Sequence, residues 1–237
     1  MVAALRTPVL GTVGLANPEA GVGVAMTRDE LESYFQISIA CRKIGRRPPV
    51  TLLLTSARDE AALVPIATGI AAASALGGAT VMLADCDLNR PSLAAHLDLR
   101  PAPGLREYLC SEAVPREILQ PVALSGTALW EGDPGTGEPP RLIGVAAGRQ
   151  SRRGDELLAT KRFAHFAEKV SHGYGRVVLK GPALLDAGDP GRLIGLADAT
   201  VIVSGPQGLG SDDQQAIADL LAERAAGAAG VVLAQRS

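Results

Sequence analysis

Two turns in this chain carry residues able to do phosphate or metal chemistry. Asp85 and Asp87 lie in Ala84-Asp-Cys-Asp-Leu-Asn-Arg-Pro-Ser-Leu93, directly after an apolar run. Two carboxylates at a strand end are candidate ligands for a hard divalent cation, or else helix caps and ion-pair partners. Thr55-Ser-Ala-Arg-Asp-Glu-Ala-Ala-Leu-Val-Pro65 follows a second apolar run and leads into a helix. A helix start offers free N–H groups to an anion. Other chemistries find no such support. Cys41, Cys86 and Cys110 have no C-x-x-C spacing, and His96, His165 and His172 have no metal-ligand spacing. Neither G-x-S-x-G nor G-x-G-x-x-G occurs.

The surrounding elements must bring those turns together. Val50–Thr55, Thr80–Ala84, Leu142–Ala146, Val177–Lys180, Thr200–Ser204 and Gly230–Leu233 read as short strands, most of them apolar throughout. Helices are expected at Thr27–Ile44, with Thr27 and Glu30 as a capping box, and at Pro65–Leu76, Asp155–Val170 and Ser211–Glu223, the last capped by Ser211. Shorter helices fall near Ser92–Leu97, Leu105–Cys110 and Arg116–Leu119, and Ala123–Trp130 is a further strand candidate. Apolar strands separated by helices predict an α/β fold, a mainly parallel sheet covered by helices on both faces. Ligands of such sheets bind at the carboxyl ends of strands, where both turns lie. Residues 1–26 lack a sustained period and read as a flexible N-terminal arm; 27–237 read as a single domain.

Of the 237 residues, 47% are hydrophobic, 20% charged and 3% aromatic, with a formal net charge of −2. That composition supports a core of Ala, Leu, Val and Ile and excludes a disordered acidic chain. The near-neutral balance argues against a nucleic-acid partner or a polybasic membrane surface. Ala61–Ala84 is uncharged and long enough to span a bilayer. Its alanines, Pro65 and the Gly77-Gly78 pair instead predict a buried helix, a turn and a buried strand, with no membrane span. No signal peptide is evident, and a cytoplasmic protein is expected.

The second turn resembles the D-x-D-x-R-R-P-S-L segment of bacterial tyrosine kinases and of the cytoplasmic ATPase domains of polysaccharide co-polymerases. These belong to the MinD/ParA-like group of deviant P-loop NTPases. Leu99-Arg-Pro-Ala-Pro-Gly-Leu-Arg-Glu-Tyr-Leu109 is similar to the family's G-L-P-N-x-P-G-L-x-D-x-L. Gly154-Asp-Glu-Leu-Leu158 is similar to its P-S-E-L-L, and Leu196–Val203 to its penultimate strand. The resemblance spans about Glu30 to Leu233 and implies a P-loop NTPase-like fold of the MinD/ParA type.

The departures from the family pattern fall on the chemistry. A working P-loop ends in G-K-S/T, whose backbone cradles phosphates while its lysine neutralises them and its hydroxyl holds Mg²⁺. Aligned on Thr55-Ser56, this chain has Glu60 and Ala62 at the glycines, Leu63 at the lysine and Val64 at the hydroxyl. The strand that should end in D-x-P-P reads Val177-Val-Leu-Lys-Gly-Pro182, with Lys180 for the aspartate, while Asp189 matches a later family aspartate. The ring-forming E-x-x-R-x-x-R becomes Glu32, Phe35 and Ser38, flanked by Tyr34, and the C-terminal tyrosine cluster is missing.

The resemblance with these departures implies a pseudo-ATPase: a cytoplasmic accessory or scaffold protein of bacterial exopolysaccharide or capsule synthesis and export. Its expected partner is a membrane polysaccharide co-polymerase or an active paralogue, which would place it peripherally at the inner membrane. No catalytic residue and no metal ligand is expected. The degenerate nucleotide site comprises Ser56, Asp59, Glu60, Leu63, Val64, Asp85, Asp87, Lys180 and Asp189, with Mg-ATP binding weak or absent. Ser56 and Asp59 are expected to cap the backbone locally, and Lys180 to reach Asp85 or Asp87 as an internal cation. Glu32, Tyr34, Phe35, Arg90 and Ser92 are the candidate interaction residues, and self-association is not expected through the ring motif. Two alternatives are an active ATP-binding enzyme with unusual ligands and a MinD/ParA-like positioning protein. Asn89-Arg-Pro-Ser-Leu93 and the downstream Pro-Gly-Leu favour the polysaccharide branch over the latter.

Overall fold

The structure is a computed structural model that describes residues 7–15, 26–44, 50–58, 60–124, 141–223 and 228–236. Its strands are β1 (Val9–Leu15), β2 (Thr51–Ser56), β3 (Val81–Asp85), β4 (Gln120–Pro121), β5 (Leu142–Val145), β6 (Arg176–Lys180), β7 (Ala199–Ser204) and β8 (Ala228–Arg236). They form one sheet in the order β1-β8-β7-β2-β6-β3-β5-β4. Every pairing is parallel except β4 on β5. The α/β expectation is met.

The helices are α1 (Arg28–Arg42), α2 (Leu63–Leu76), α3 (Leu93–His96), α4 (Leu105–Leu109), α5 (Pro115–Ile118), α6 (Gly154–Leu158), α7 (Lys161–Gly173), α8 (Gly191–Leu196) and α9 (Ser211–Glu223). Successive strand residues point to opposite faces. Leu52, Leu54, Leu83, Val178 and Val201 therefore join α1 and α2 in one core, with Leu31, Tyr34, Ile66 and Ile70. Leu53, Met82, Val177, Leu179 and Ile202 join the other core, with Phe163, Phe166, Leu193 and Ile217 from α7, α8 and α9. The uncharged Ala61–Ala84 stretch is the predicted helix, turn and strand, with Gly78 at φ +89° in the turn. Among the described residues, no helix is long and apolar enough to cross a membrane.

Three readings need correction. The N-terminal arm is not wholly an arm: Val9–Leu15 is an edge strand, paired with β8 from the far end of the chain. Gly11 admits it, because a Cβ there would lie 2.6 Å from the Ile37 side chain of α1. The single helix over Asp155–Val170 is two helices. Thr160 divides them: its hydroxyl donates to the Leu157 carbonyl and accepts from the Phe163 N–H, capping α7. Ser211 is the first residue of α9, and its hydroxyl donates to Asp212. The strand expected in Ala123–Trp130 falls largely outside the described residues; the short antiparallel strand is Gln120–Pro121. The Thr27–Glu30 capping box stands as read.

Candidate functional site

The strand order sets β2, β6 and β3 side by side, with carboxyl ends at one edge of the sheet. Asp85 is the last residue of β3 and lies directly opposite Lys180, the last of β6. The β2–α2 turn approaches from the other side. Together they line a cleft of about 320 Å³. Ser56, Glu60, Leu63, Val64, Asp87, Arg90, Ser92 and Lys180, all singled out from the sequence, line it; Ala61, Pro91, Gly181 and Ala183 complete the wall.

Three charged side chains meet here: Asp87 and Lys180 line the cleft, and Asp85 is fully buried beside them. The Lys180 ammonium is 3.3 Å from Asp85 Oδ1 and 3.6 Å from Asp87 Oδ2. Lys180 is 4% exposed, Asp85 0% and Asp87 5%. Burial pushes the Asp87 carboxyl above its usual range; Lys180 opposes that shift, and the nearby Asp85 charge adds to it. The same burial pushes the Cys86 thiol far up, so Cys86 is an inert core residue.

The β2–α2 turn has little left to offer a phosphate. Leu63 is buried. Glu60 Oε1 accepts the Ala62 N–H at 3.3 Å, so a carboxylate already occupies one amide at the start of α2. Arg58 ties this turn to the start of α9 and to the β6–α8 loop: its guanidinium donates to Asp213 at 2.9 Å and lies 3.8 Å from Asp186. A basic residue inside an expected phosphate loop was the available signal for it.

Other expected residues sit elsewhere. Asp189 is exposed, is not among the residues lining the cleft, and accepts the Gly191 N–H at 3.0 Å at the start of α8. Asp59 lies outside the described residues. Ser56 does not cap the backbone; among the described residues its buried hydroxyl has no hydrogen-bond partner, and the Ser92 hydroxyl has none either. Glu32 is exposed on α1, while Tyr34 is buried with its hydroxyl donating to the Pro65 carbonyl, and Phe35 packs half-buried on the same core. Ser38, at the last ring-motif position, is buried against the Ser74 hydroxyl at 2.9 Å. Burial also pushes the Tyr34 hydroxyl far up, which suits a packing residue rather than a proton-transfer group.

No family model matches the chain, and no curated protein matches it. Solved structures do. The chimerical protein CapA2B2 is 18% identical, with 98% of this chain and 96% of that one covered and a TM-score of 0.77. The BceF tyrosine kinase domain is 16% identical, with 99% and 96% covered and a TM-score of 0.78. The kinase domain of the Escherichia coli tyrosine kinase ETK is 15% identical, with 98% and 93% covered and a TM-score of 0.77. The septum site-determining protein MinD from Pyrococcus horikoshii, complexed with Mg-ADP, is 13% identical, with 77% and 69% covered and a TM-score of 0.57.

Proposed function

We propose that this chain, which shares the fold of bacterial tyrosine kinase domains and, more distantly, of MinD, is a catalytically degenerate member of that fold group, a binding protein of bacterial exopolysaccharide or capsule synthesis and export. It docks on the cytoplasmic side of a membrane polysaccharide co-polymerase or on an active paralogue, and it needs no nucleotide.

The observation that carries this reading is the Lys180 ammonium between Asp85 and Asp87. A Mg-nucleotide site needs carboxylate or hydroxyl oxygens free for the metal and cations free for the phosphates. Here the cation at the cleft base is committed to carboxylates. Leu63 and Val64 supply neither an ammonium nor a hydroxyl. Glu60 adds a negative charge where phosphates would lie. The donor set does not fit Mg-ATP, and a scaffold that kept the fold while the phosphate site decayed accounts for it.

Isothermal calorimetry with Mg-ATP tests the reading. No binding at micromolar nucleotide is expected, and a micromolar Kd would overturn it. A pull-down from the native organism with mass spectrometry tests the partner; recovery of a co-polymerase or paralogue is expected, and a reproducible partner from unrelated machinery would refute the pathway assignment.

A further inference from the structure

The loop from β3 to α3, residues 86–92, hangs on the carboxylate at its root. Asp85 Oδ1 accepts the Asp87 N–H at 3.1 Å, and Oδ2 accepts those of Ser92 at 2.9 Å and Leu93 at 3.0 Å. Asp87 Oδ1 in turn accepts the Arg90 N–H at 2.9 Å. Both carboxylates must stay buried and close together for this arrangement to persist. Two like charges in a poorly solvated site repel, and without a cation one would take up a proton or swing to water. The Lys180 ammonium touches both and supplies that cation from inside the chain.

We infer that Lys180 is a built-in latch: tethered on β6, its ammonium holds Asp85 and Asp87 together and keeps loop 86–92 in one conformation with no ligand bound. A loop ordered by a free cation follows that cation's concentration, by mass action. A loop ordered by its own lysine does not. The cleft rim at Arg90 and Pro91 is then presented to a partner at all times, independent of metal and nucleotide. The inference rests on the proposal that the cleft works without Mg-ATP, and it adds what sets the state of the loop.

Amide hydrogen exchange on the full chain tests it. In wild type, the amides of Asp87, Arg90, Ser92 and Leu93 should exchange equally slowly in EDTA, in Mg²⁺ and in Mg-ATP. In Lys180→Ala the same amides should exchange at least about tenfold faster while those of β2 and β7 stay slow. Millimolar Mn²⁺ should restore their protection, because an external cation then enters the vacated place. A merely space-filling lysine would not be rescued by a cation. Unchanged protection in Lys180→Ala, or loss that Mn²⁺ does not reverse, overturns the latch. So does a wild-type loop that is open in EDTA and closes in Mg²⁺, a result that does not depend on the variant folding. Micromolar ATP binding with a loop indifferent to ligand would sink the proposed function and leave the latch standing; a Mg²⁺-dependent loop without ATP binding would do the reverse.

Discussion

Lys180→Met keeps the length of the side chain and removes its charge. Lys180, Asp85 and Asp87 are each at most 5% exposed, so the change leaves two buried carboxylates without their shared cation. Removing one member of a buried ion pair costs about 3–5 kcal/mol. The backbone N–H donors of Asp87, Ser92 and Leu93 still hold Asp85, so the lost pairing falls mainly on Asp87, which keeps the Arg90 N–H and the half-exposed Arg90 guanidinium at 3.9 Å. Burial already raises that carboxyl, and losing the lysine raises it further. A raised carboxyl stabilises the fold where it is protonated and loses that contribution as pH rises through its folded value. The cost of Lys180→Met should therefore be full at pH 7 and shrink as the pH falls toward about 4, the ordinary aspartate range. With a urea slope of about 2–3 kcal/mol/M, the unfolding midpoint should drop by about 1–2.5 M at pH 7. Urea titrations at several pH values read this directly. Asp87→Asn added to Lys180→Met should recover part of the loss, since it removes the stranded charge. A loss below about 1 kcal/mol at pH 7, the size for an exposed pair, or a loss that does not shrink in acid, would refute the reasoning.

Gly69→Ala should lower the melting temperature, because a Cβ there would enter the Tyr34 ring. Overpacking of about 1–3 kcal/mol should outweigh a helix-propensity gain of about 1 kcal/mol, and a more stable variant would contradict it. Burial pushes the Glu107 carboxyl up, but the Gly104 and Arg149 N–H groups and Arg106 outweigh it and hold the carboxyl below its usual range. Its stabilisation is present above the unfolded value, about 4.3, and is lost as pH falls through the folded one; Glu107→Gln should cost about 1–3 kcal/mol at pH 7 and progressively less in acid, as denaturation against pH will show. Light scattering should find no large ring that Glu32→Ala abolishes, since Phe35 and Ser38 sit where the arginines would be and pack inward.

The sequence by itself determined the sheet's central strands, because a strand buried on both faces must be apolar throughout, and Leu52–Leu54 and Val177–Leu179 are. It also determined the start of α1, since a capping box is a local pattern over Thr27–Glu30. The loss of a phosphate loop was legible as residue types: Leu63 and Val64 cannot act as lysine and hydroxyl in any fold. Tertiary structure alone decided which residues meet. Asp189 looked like a site residue, but it is exposed and accepts the Gly191 N–H at the start of α8, apart from the residues that line the cleft. Val9–Leu15 carries glycines and no strand period, and becomes a strand only because β8, more than two hundred residues away, offers it an edge. Arg58 reaches Asp186 in the β6–α8 loop and Asp213 in the first turn of α9, which no short-range pattern connects to it. Lys180 and Asp85 are 95 residues apart in the chain, and their pairing follows from β6 lying beside β3 in a register that sets one opposite the other. Side-chain chemistry is written residue by residue, but a buried charge finds its partner only through strand order and register, and those are properties of the whole sheet.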